Sequence, residues 1–298
     1  MKMTTTSSKK RVSVRNFTAE KWLEIVPHGY LKGMIYGHSP QYTVPDYLQE
    51  EGKLRQVCLY DLAIFASAEK IAVTTAAGLT SIADDDWSRI FLATQTFDEA
   101  RHYEVFVERI REMGLSDEEI ADLIEEVASP EYRDFQKIMF QQVDNKDLLG
   151  GLVTLNIILE GMAFPLYGYE ARFWKPFDPG LTEIIIGAFK DETRHVGFAE
   201  KKLTEAIQQR PEEKERLSRL ATECSIRMEK AFESFLNQFV GLYQEACQEH
   251  KEKVGDAEIA PGMRMIDTPV VDQVNMLLRD IIGGHRERLE KIGLKYLN

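Results

Sequence analysis

Cysteine is scarce in this sequence of 298 residues, which contains only Cys58, Cys224 and Cys247. The three residues are far apart in the chain and none forms a CxxC pair. An odd number of widely spaced cysteines favours neither a disulfide framework nor a structural zinc site. We therefore expect a reducing compartment and a cytoplasmic protein.

Basic residues are also in deficit, since 37 lysines and arginines face 49 acidic residues and the formal net charge is -12. An acidic protein is repelled by polyanions, so we expect neither nucleic acid nor an anionic membrane as its main partner. Uninterrupted apolar runs of the roughly 18 residues needed for a membrane span are lacking too, and we expect no such span. Residues 1–15 are basic and polar with no apolar segment behind them, which predicts a flexible tail rather than a secretory signal.

Alternating strand patterns and Ser/Gly-rich linkers are hard to find, whereas helical periodicity dominates from about Glu51 onward. The pattern predicts an all-α fold and one domain over residues 16–298. The long helices are expected at about 51–82, 85–113, 144–173, 181–209, 211–250 and 270–291, and residues 253–269 are expected to form a loop. Two shorter helices are expected after Ser116, which has Glu119 at the spacing of a capping box, and after Pro130.

A five-residue motif, Asp-Glu-x-Arg-His, occurs twice, as DEARH from Asp98 and as DETRH from Asp191. On a helix, residues three apart lie on the same face, so Glu99 with His102 and Glu192 with His195 can each present an oxygen and a nitrogen to one point. One such pair is usually a surface contact. Two identical pairs favour two half-sites on facing helices.

Each motif is preceded by a single glutamate in an apolar helix, Glu69 in "FASAEKIAV" and Glu160 in "TLNIILEGMAF". Their distances to the motif glutamates are similar, 30 residues from Glu69 to Glu99 and 32 residues from Glu160 to Glu192. An isolated buried carboxylate costs many kcal/mol unless it is neutralised, paired or bound to a metal. The general four-helix recipe for two metal ions uses one such glutamate from each of two helices.

The aspartates of the two motifs have two possible tasks. A metal-bound histidine usually donates its second ring N–H to a carboxylate or carbonyl, and Asp191 could accept from His102 while Asp98 accepts from His195 across the bundle. Alternatively, both are acids that face solvent and pair with Arg101 or Arg194.

The order Glu, DEARH, Glu, DETRH resembles the ferritin-like di-metal carboxylate superfamily over about residues 56–207. Within it, "FLATQTFDEARHYEVF", "DETRHVGF" and "ILEGMAFPLYGYEARF" are similar to the ribonucleotide reductase small subunit and, more closely, to its ligand-binding oxidase relatives. The resemblance implies a ferritin-like four-helix bundle with additional helices. It also implies a di-metal site in the bundle core, within about residues 51–209.

Four carboxylates and two imidazoles suit iron and manganese rather than structural zinc. The expected cofactor is two metal ions per chain, Fe/Fe or Mn/Fe, with O2 as cosubstrate. The expected ligands are Glu69, Glu99, His102, Glu160, Glu192 and His195, and the resemblance makes Glu160 and Glu192 the carboxylates that move during catalysis. The expected function is an oxidase or oxygenase that acts on a small hydrophobic substrate, receives electrons from a donor and forms a homodimer. Candidate walls of its substrate pocket are Ala72, Val73, Phe106, Leu155, Phe164 and Phe198.

The sequence departs from its relatives at positions that carry their chemistry. Phe106 occupies the usual place of the radical tyrosine of the reductase small subunit. Leu155 and Ala72 occupy the places of the tyrosine and valine that are crosslinked in the ligand-binding oxidases, so we expect no crosslink. Ala188 replaces the third histidine of the arylamine N-oxygenase type. A radical-generating small subunit and an amine N-oxygenase stay open as alternatives.

Overall fold

The computed structural model describes residues 42–297, so the predicted tail over residues 1–15 and the start of the predicted domain lie outside the described residues. A short 3-10 helix (Asp46–Leu48) comes first. The helices that follow are α1 (Lys53–Ile82), α2 (Asp86–Glu112), α3 (Asp117–Glu126), α4 (Pro130–Asp144), α5 (Leu148–Leu152), a π-helical segment (Val153–Glu160), α6 (Gly161–Trp174), α7 (Pro179–Gln209), α8 (Glu213–Glu249), α9 (Lys251–Val254) and α10 (Val270–Lys291). The prediction of an all-α fold is confirmed.

Side-chain caps explain where several helices begin. Asp85 accepts a hydrogen bond from the backbone N–H of Ser88 at 2.8 Å and starts α2. The predicted capping box is present at α3, where Ser116 and Glu119 satisfy each other's backbone N–H groups. Asp178 caps α7, which begins with a proline at its first position, where the missing N–H has no cost.

The predicted start of one helix and the predicted loop over residues 253–269 were wrong. The helix expected from residue 144 begins at Leu148 because α4 continues to Asp144 and the chain then turns through Lys146, which has a φ of 56°. The loop expected over 253–269 contains an antiparallel hairpin of β1 (Glu258–Ala260) and β2 (Met263–Arg264). Gly262 permits its tight turn with a φ of 76°.

Four long helical elements form the bundle. Helix α1 packs along α2, and the continuous run of α5, the π-helical segment and α6 packs along α7. The outer helix α10 covers the π-helical segment and α6, and the outer helix α8 packs on the π-helical segment, α1 and α4. Buried apolar side chains between Val44 and Leu294 form one continuous cluster, although the assignment of residues 16–298 to one domain stays a prediction.

By length and composition alone, two helical runs among residues 42–297 could cross a membrane, namely α1 and the run Leu148–Trp174. In the fold, 61% and 83% of their apolar windows are buried. This burial explains their composition, because both are core helices of the bundle and pack their apolar side chains against other helices.

Candidate di-metal site

The six predicted ligands come from four different helical elements and converge in the bundle core. Helix α1 contributes one glutamate, α2 and α7 each contribute a Glu-x-x-His pair, and the last residue of the π-helical segment contributes the other glutamate. All six side chains are buried, with 0% to 5% of their surface exposed: Glu69, Glu99, His102, Glu160, Glu192 and His195. Their separation in sequence therefore disappears in the tertiary structure.

The donor atoms form two overlapping groups. One consists of Glu69, Glu99, His102 and Glu192, and the other replaces the first glutamate and first histidine by Glu160 and His195. Within each group the donor atoms lie within 4.8 Å of one another. Glu99 and Glu192 belong to both groups, so each can offer one oxygen to each of two neighbouring ions.

The motif glutamates lie between the two histidines. The Oε1 atom of Glu99 lies 3.1 Å from Nδ1 of His195, and its Oε2 atom lies 3.3 Å from Nδ1 of His102. Glu192 shows the mirrored arrangement, with its Oε1 3.3 Å from His102 and its Oε2 3.4 Å from His195. This pseudo-twofold arrangement follows from the repeated motif.

Two buried donor atoms of this cluster, Oε2 of Glu99 and Nδ1 of His102, make no hydrogen bond within the described part of the chain. Unpartnered buried polar atoms are costly, and in native proteins they usually have an explanation. A pair of divalent cations fits this arrangement because it would take up lone pairs that point at a common centre. Two such ions would also balance four carboxylate charges, so the residues present fit a di-metal group.

The carboxylates of the cluster differ in how readily they ionise. Burial raises the pKa of Glu69 to about 8. Burial and the repulsion of Glu192 and Glu99 raise the pKa of Glu160 well above its ordinary value. Burial acts on Glu99 in the same direction, but the close approach of His102 and His195 outweighs it and lowers the pKa of Glu99. The cluster therefore needs positive charge at its centre if all four carboxylates are to ionise.

The surrounding carboxylates raise the pKa of both histidines. Burial acts to lower the pKa of each, but the carboxylates around His102, led by Glu69, raise its pKa well above the ordinary value. The hydrogen bond that the ring of His195 donates to the Asp98 carboxylate is the largest influence that raises the pKa of His195 against burial. A metal ion would replace a proton at Nδ1 of each ring, which is the nitrogen that faces the cluster.

Each aspartate lies against the histidine of the other motif. Oδ2 of Asp191 lies 3.2 Å from Nε2 of His102, and Oδ2 of Asp98 lies 3.3 Å from Nε2 of His195. Each aspartate also pairs with an arginine, Asp191 with Arg101 and Asp98 with Arg194. The two tasks considered for these aspartates are therefore compatible with each other.

Gln95 and Asn156 also belong to the site, and the sequence analysis missed both. Nε2 of Gln95 donates to Oε1 of Glu160 at 2.7 Å and to Oε1 of Glu99 at 3.1 Å. Nδ2 of Asn156 donates to Oε2 of Glu160 at 3.0 Å and to Oε1 of Gln95 at 3.2 Å. Gln95 lies four residues before Glu99, and Asn156 lies four residues before Glu160. Residues four apart share a face of a helix, so this spacing could have predicted that both amides contact the site.

An apolar cavity of about 90 Å³ borders the cluster at Glu69, Glu160 and Glu192. Of the six predicted pocket residues, Ala72 lines this cavity and the other five do not: Val73, Phe106, Leu155, Phe164 and Phe198. The three phenylalanines pack on other rings, Phe106 on Phe65 at 4.9 Å, Phe164 on Phe189 at 5.1 Å and Phe198 on Phe91 at 4.0 Å between centroids. Leu155 is buried within the π-helical segment, and Val73 is partly exposed on α1.

Walls of the cavity come from segments that the sequence analysis did not connect with the site. They are the turn between α3 and α4, the start of α4, and one face of α8, in addition to α1 and α6. The lining residues from these additional segments are Val127, Ala128, Ser129, Tyr132, Met228, Ala231, Phe232 and Phe235.

If Asp191 orients the ring of His102, Asp191→Ala will weaken metal affinity by about 10-fold to 100-fold. The ring would lose the acceptor at Nε2 that holds Nδ1 toward the cluster. Titration of the metal-free protein with Mn²⁺ or Fe²⁺ measures this loss. Arg101→Ala is the matched control, because it removes the arginine of the ion pair and leaves the carboxylate on His102. Equal losses in the two variants would contradict the orienting role.

No protein-family model and no curated protein sequence matches this chain. Solved structures do match it. "Protein 19 with aldehyde deformylating oxidase activity from Synechococcus" is similar with a TM-score of 0.59 at 17% identity, over 83% of this chain and 94% of that chain. A variant of an R2-like ligand-binding oxidase with an aerobically reconstituted Mn/Fe cofactor is similar with a TM-score of 0.62 at 15% identity, over 83% of each chain. Another variant with the same cofactor has a TM-score of 0.58 at 15% identity, over 85% of each chain.

These likenesses define the class of the fold. The chain is a ferritin-like four-helix bundle with additional helices, and the prediction of this fold is confirmed. A buried cluster of glutamates and histidines that can hold two metal ions lies in its core. Its similar solved structures are oxidases of the fold related to the ribonucleotide reductase small subunit.

Proposed function

We propose that this protein is an O2-activating di-metal oxidoreductase, an oxidase or monooxygenase that acts on a small hydrophobic substrate. The observation that supports it best is the pair of four-residue ligand groups that share Glu99 and Glu192. Glu99 and Glu192 could each contribute one oxygen to each group, so the six residues would hold two redox-active ions close together. The oxidase neighbours support the same function through their fold.

The metal ions, Fe/Fe or Mn/Fe, would supply the reduction of O2 and the oxidation of the substrate. The ligands would be the six residues that form the two groups, Glu69, Glu99, His102, Glu160, Glu192 and His195. Among them, Glu69, Glu160 and Glu192 also line the apolar cavity that would hold the substrate, and two of these three, Glu160 and Glu192, are the carboxylates that the resemblance in sequence marks as mobile. We assign to these two glutamates the change between terminal and bridging binding.

Glu160 is placed for such a change. It is the last residue of a π-helical segment, a backbone irregularity that is frequent at functional sites. Its carboxylate accepts hydrogen bonds from the side-chain amides of Gln95 and Asn156. Both amides are uncharged, so they orient the carboxylate without neutralising its charge. On the other side of the cluster, the hydroxyl of Tyr167 donates to Oε1 of Glu69 at 3.4 Å.

The assignment of a hydrophobic substrate is supported by the cavity, whose lining is apolar apart from three glutamates and four hydroxyl side chains. An apolar pocket favours an apolar ligand and excludes water from the reacting centre. We further propose a cytoplasmic homodimer that receives electrons from a separate donor. Trp87 and Ile90, which are 81% and 57% exposed one turn apart on α2, offer an apolar surface for self-association.

Metal content and reaction with O2 test this function. Protein expressed with iron and manganese should contain about two metal ions per chain, one for each ligand group, and the reduced form should develop a transient absorption when O2 is added. Turnover of alkanes and aldehydes is expected. A folded protein that takes up neither ion would refute the proposal, a stable radical without turnover would favour the radical-generating subunit, and turnover of amines alone would favour the N-oxygenase.

If the cavity admits the substrate, Ala163→Phe will abolish turnover and leave the metal content unchanged. Ala163 lines the cavity from α6 without being a ligand, and a phenyl ring there would fill much of the space of about 90 Å³. Turnover and elemental analysis of the same preparation measure both properties. Ala171→Phe, on the same helix but outside the lining residues, is the control, and full activity of Ala163→Phe would exclude this route.

A further inference from the structure

We propose that Tyr132 determines which substrates bind, by forming a hydrogen bond with an uncharged polar group of the substrate on the side of the cavity opposite the metal site. The substrate class is then a linear, mostly aliphatic molecule with one hydroxyl, carbonyl or amide group. This group lies on the order of 10 Å, the diameter of a helix, from the carbon that is oxidised. The inference rests on the proposed function and extends it to the choice of substrate.

The positions of the lining residues around α1 separate the two ends of the cavity. At 100° per residue, Ile64, Ala68 and Ala72 form one stripe of the helix, and this stripe faces the cavity. Ser67 and Glu69 lie on opposite flanks of the stripe, about 200° apart, and both line the cavity. The cavity therefore extends across the face of α1, from the side of the metal ligand to the side of the serine.

Hydroxyl groups gather on the serine side. Tyr132 and Ser129 line the cavity from α4 and its N-cap, and Ser129 Oγ accepts the backbone N–H of Tyr132 at 3.2 Å. Ser67 lies close enough to Tyr132 to influence its pKa, which burial raises. The three hydroxyls come from two elements, α4 with its cap and α1, and they are the only uncharged polar side chains among the lining residues other than Tyr167, which bonds to Glu69.

The hydroxyl of Tyr132 is the informative one, because its oxygen is buried and makes no hydrogen bond of ordinary geometry within the described residues, although Ser67 and Gln136 lie near it. A buried hydroxyl without a partner destabilises the free protein, and a phenylalanine would fill the same space without that penalty. A substrate group that accepts or donates a hydrogen bond here would satisfy the hydroxyl. Ligands that form this hydrogen bond are therefore favoured over ligands that leave the Tyr132 hydroxyl unpaired.

The polar group must be uncharged because no lysine, arginine or histidine of residues 42–297 lines the cavity. A carboxylate or phosphate placed beside Tyr132 would be buried without a counter-charge from these residues, which is unfavourable. Between the two ends the walls are small or apolar, with Ala68 and Ala163 facing the space from α1 and α6. A narrow passage between alanines suits an extended chain better than a ring system.

Binding of matched probes tests the proposal on the full chain loaded with metal. The dissociation constants of decanol, undecane and decanoate are measured by displacement of a fluorescent apolar dye. Wild-type protein should bind decanol about 10-fold more tightly than undecane, and should bind decanoate most weakly. In Tyr132→Phe the preference for decanol should disappear while the affinity for undecane is unchanged, and Ser67→Ala should reduce the preference by a smaller factor.

Tyr296→Phe removes a hydroxyl far from the cavity, where it lies 3.5 Å from Glu229, and should keep the preference for decanol. A preference that survives Tyr132→Phe but disappears when the metals are removed would mean that the metals bind the polar group, which overturns the proposal. Equal losses for decanol and undecane in both Tyr132→Phe and Ser67→Ala would also overturn it. Failure of the proposed function is recognised separately, because the wild-type protein would then contain no metal.

Discussion

Glu99→Ala will reduce the metal content of the purified protein from about two ions per chain to nearly none. Glu99 belongs to both ligand groups, and its two oxygens lie 3.1 Å and 3.3 Å from the ring nitrogens of His195 and His102. Its removal therefore takes one ligand from each ion and one negative charge from the centre of the cluster. O2-dependent turnover should fall below detection with the metal.

The matched control is Glu108→Ala, which removes a glutamate from the same helix at a position whose side chain is 50% exposed and pairs with Arg111. This variant should keep both ions and full activity. Glu69→Ala removes a residue of one group only, so it should lose one ion more readily than the other. Retention of two ions in Glu99→Ala would contradict the shared-ligand arrangement. Circular dichroism establishes that each variant is folded.

Asp178→Ala will lower the free energy of unfolding by about 3–5 kcal/mol, the cost of breaking a buried ion pair. Asp178 and Arg109 are each 1% exposed, and Nη2 of the arginine lies 2.6 Å and 2.7 Å from the two carboxylate oxygens. The same carboxylate accepts the backbone N–H of Leu181 at 3.0 Å and caps α7. The substitution therefore leaves a buried guanidinium short of its partner and removes a helix cap.

Urea denaturation measures this loss as a lower midpoint with an unchanged slope. Arg111→Ala is the control, because Arg111 is 44% exposed and its pairs with Glu108 and Asp117 lie at the surface. Exposed pairs contribute about 1 kcal/mol or less, so this variant should be close to wild type. The metal content of Asp178→Ala should stay near that of the wild type, since Asp178 belongs to neither ligand group. A change of less than about 1 kcal/mol in Asp178→Ala would contradict the assigned role.

The helices and the ligand glutamates could be predicted because their signals are local. Residues three apart share a face of any helix, so DEARH and DETRH identify their half-sites without knowledge of the fold. Glu69 and Glu160 were conspicuous because a carboxylate in an apolar helix needs compensation. The capping box at Ser116 is likewise a pattern of four residues.

The cavity could not be predicted in this way, because its walls depend on which side chains from distant segments meet. Phe106 is apolar and aromatic, as expected of a residue in a pocket wall, but in the structure its ring stacks on that of Phe65. Tyr132 lies on a short helix with no pattern that connects it to the site, and only packing of α4 on α1 brings it to the cavity.

The amino-acid sequence by itself therefore determined the all-α class and which glutamates and histidines could form a cluster, because helical periodicity and buried charge are properties of short segments. Only the tertiary structure decided that Glu99 and Glu192 are shared between two groups and that Gln95 and Asn156 hold Glu160. It also decided where the apolar cavity beside the cluster lies. These features are distances between residues far apart in the chain, and such distances exist only when the helices are packed together.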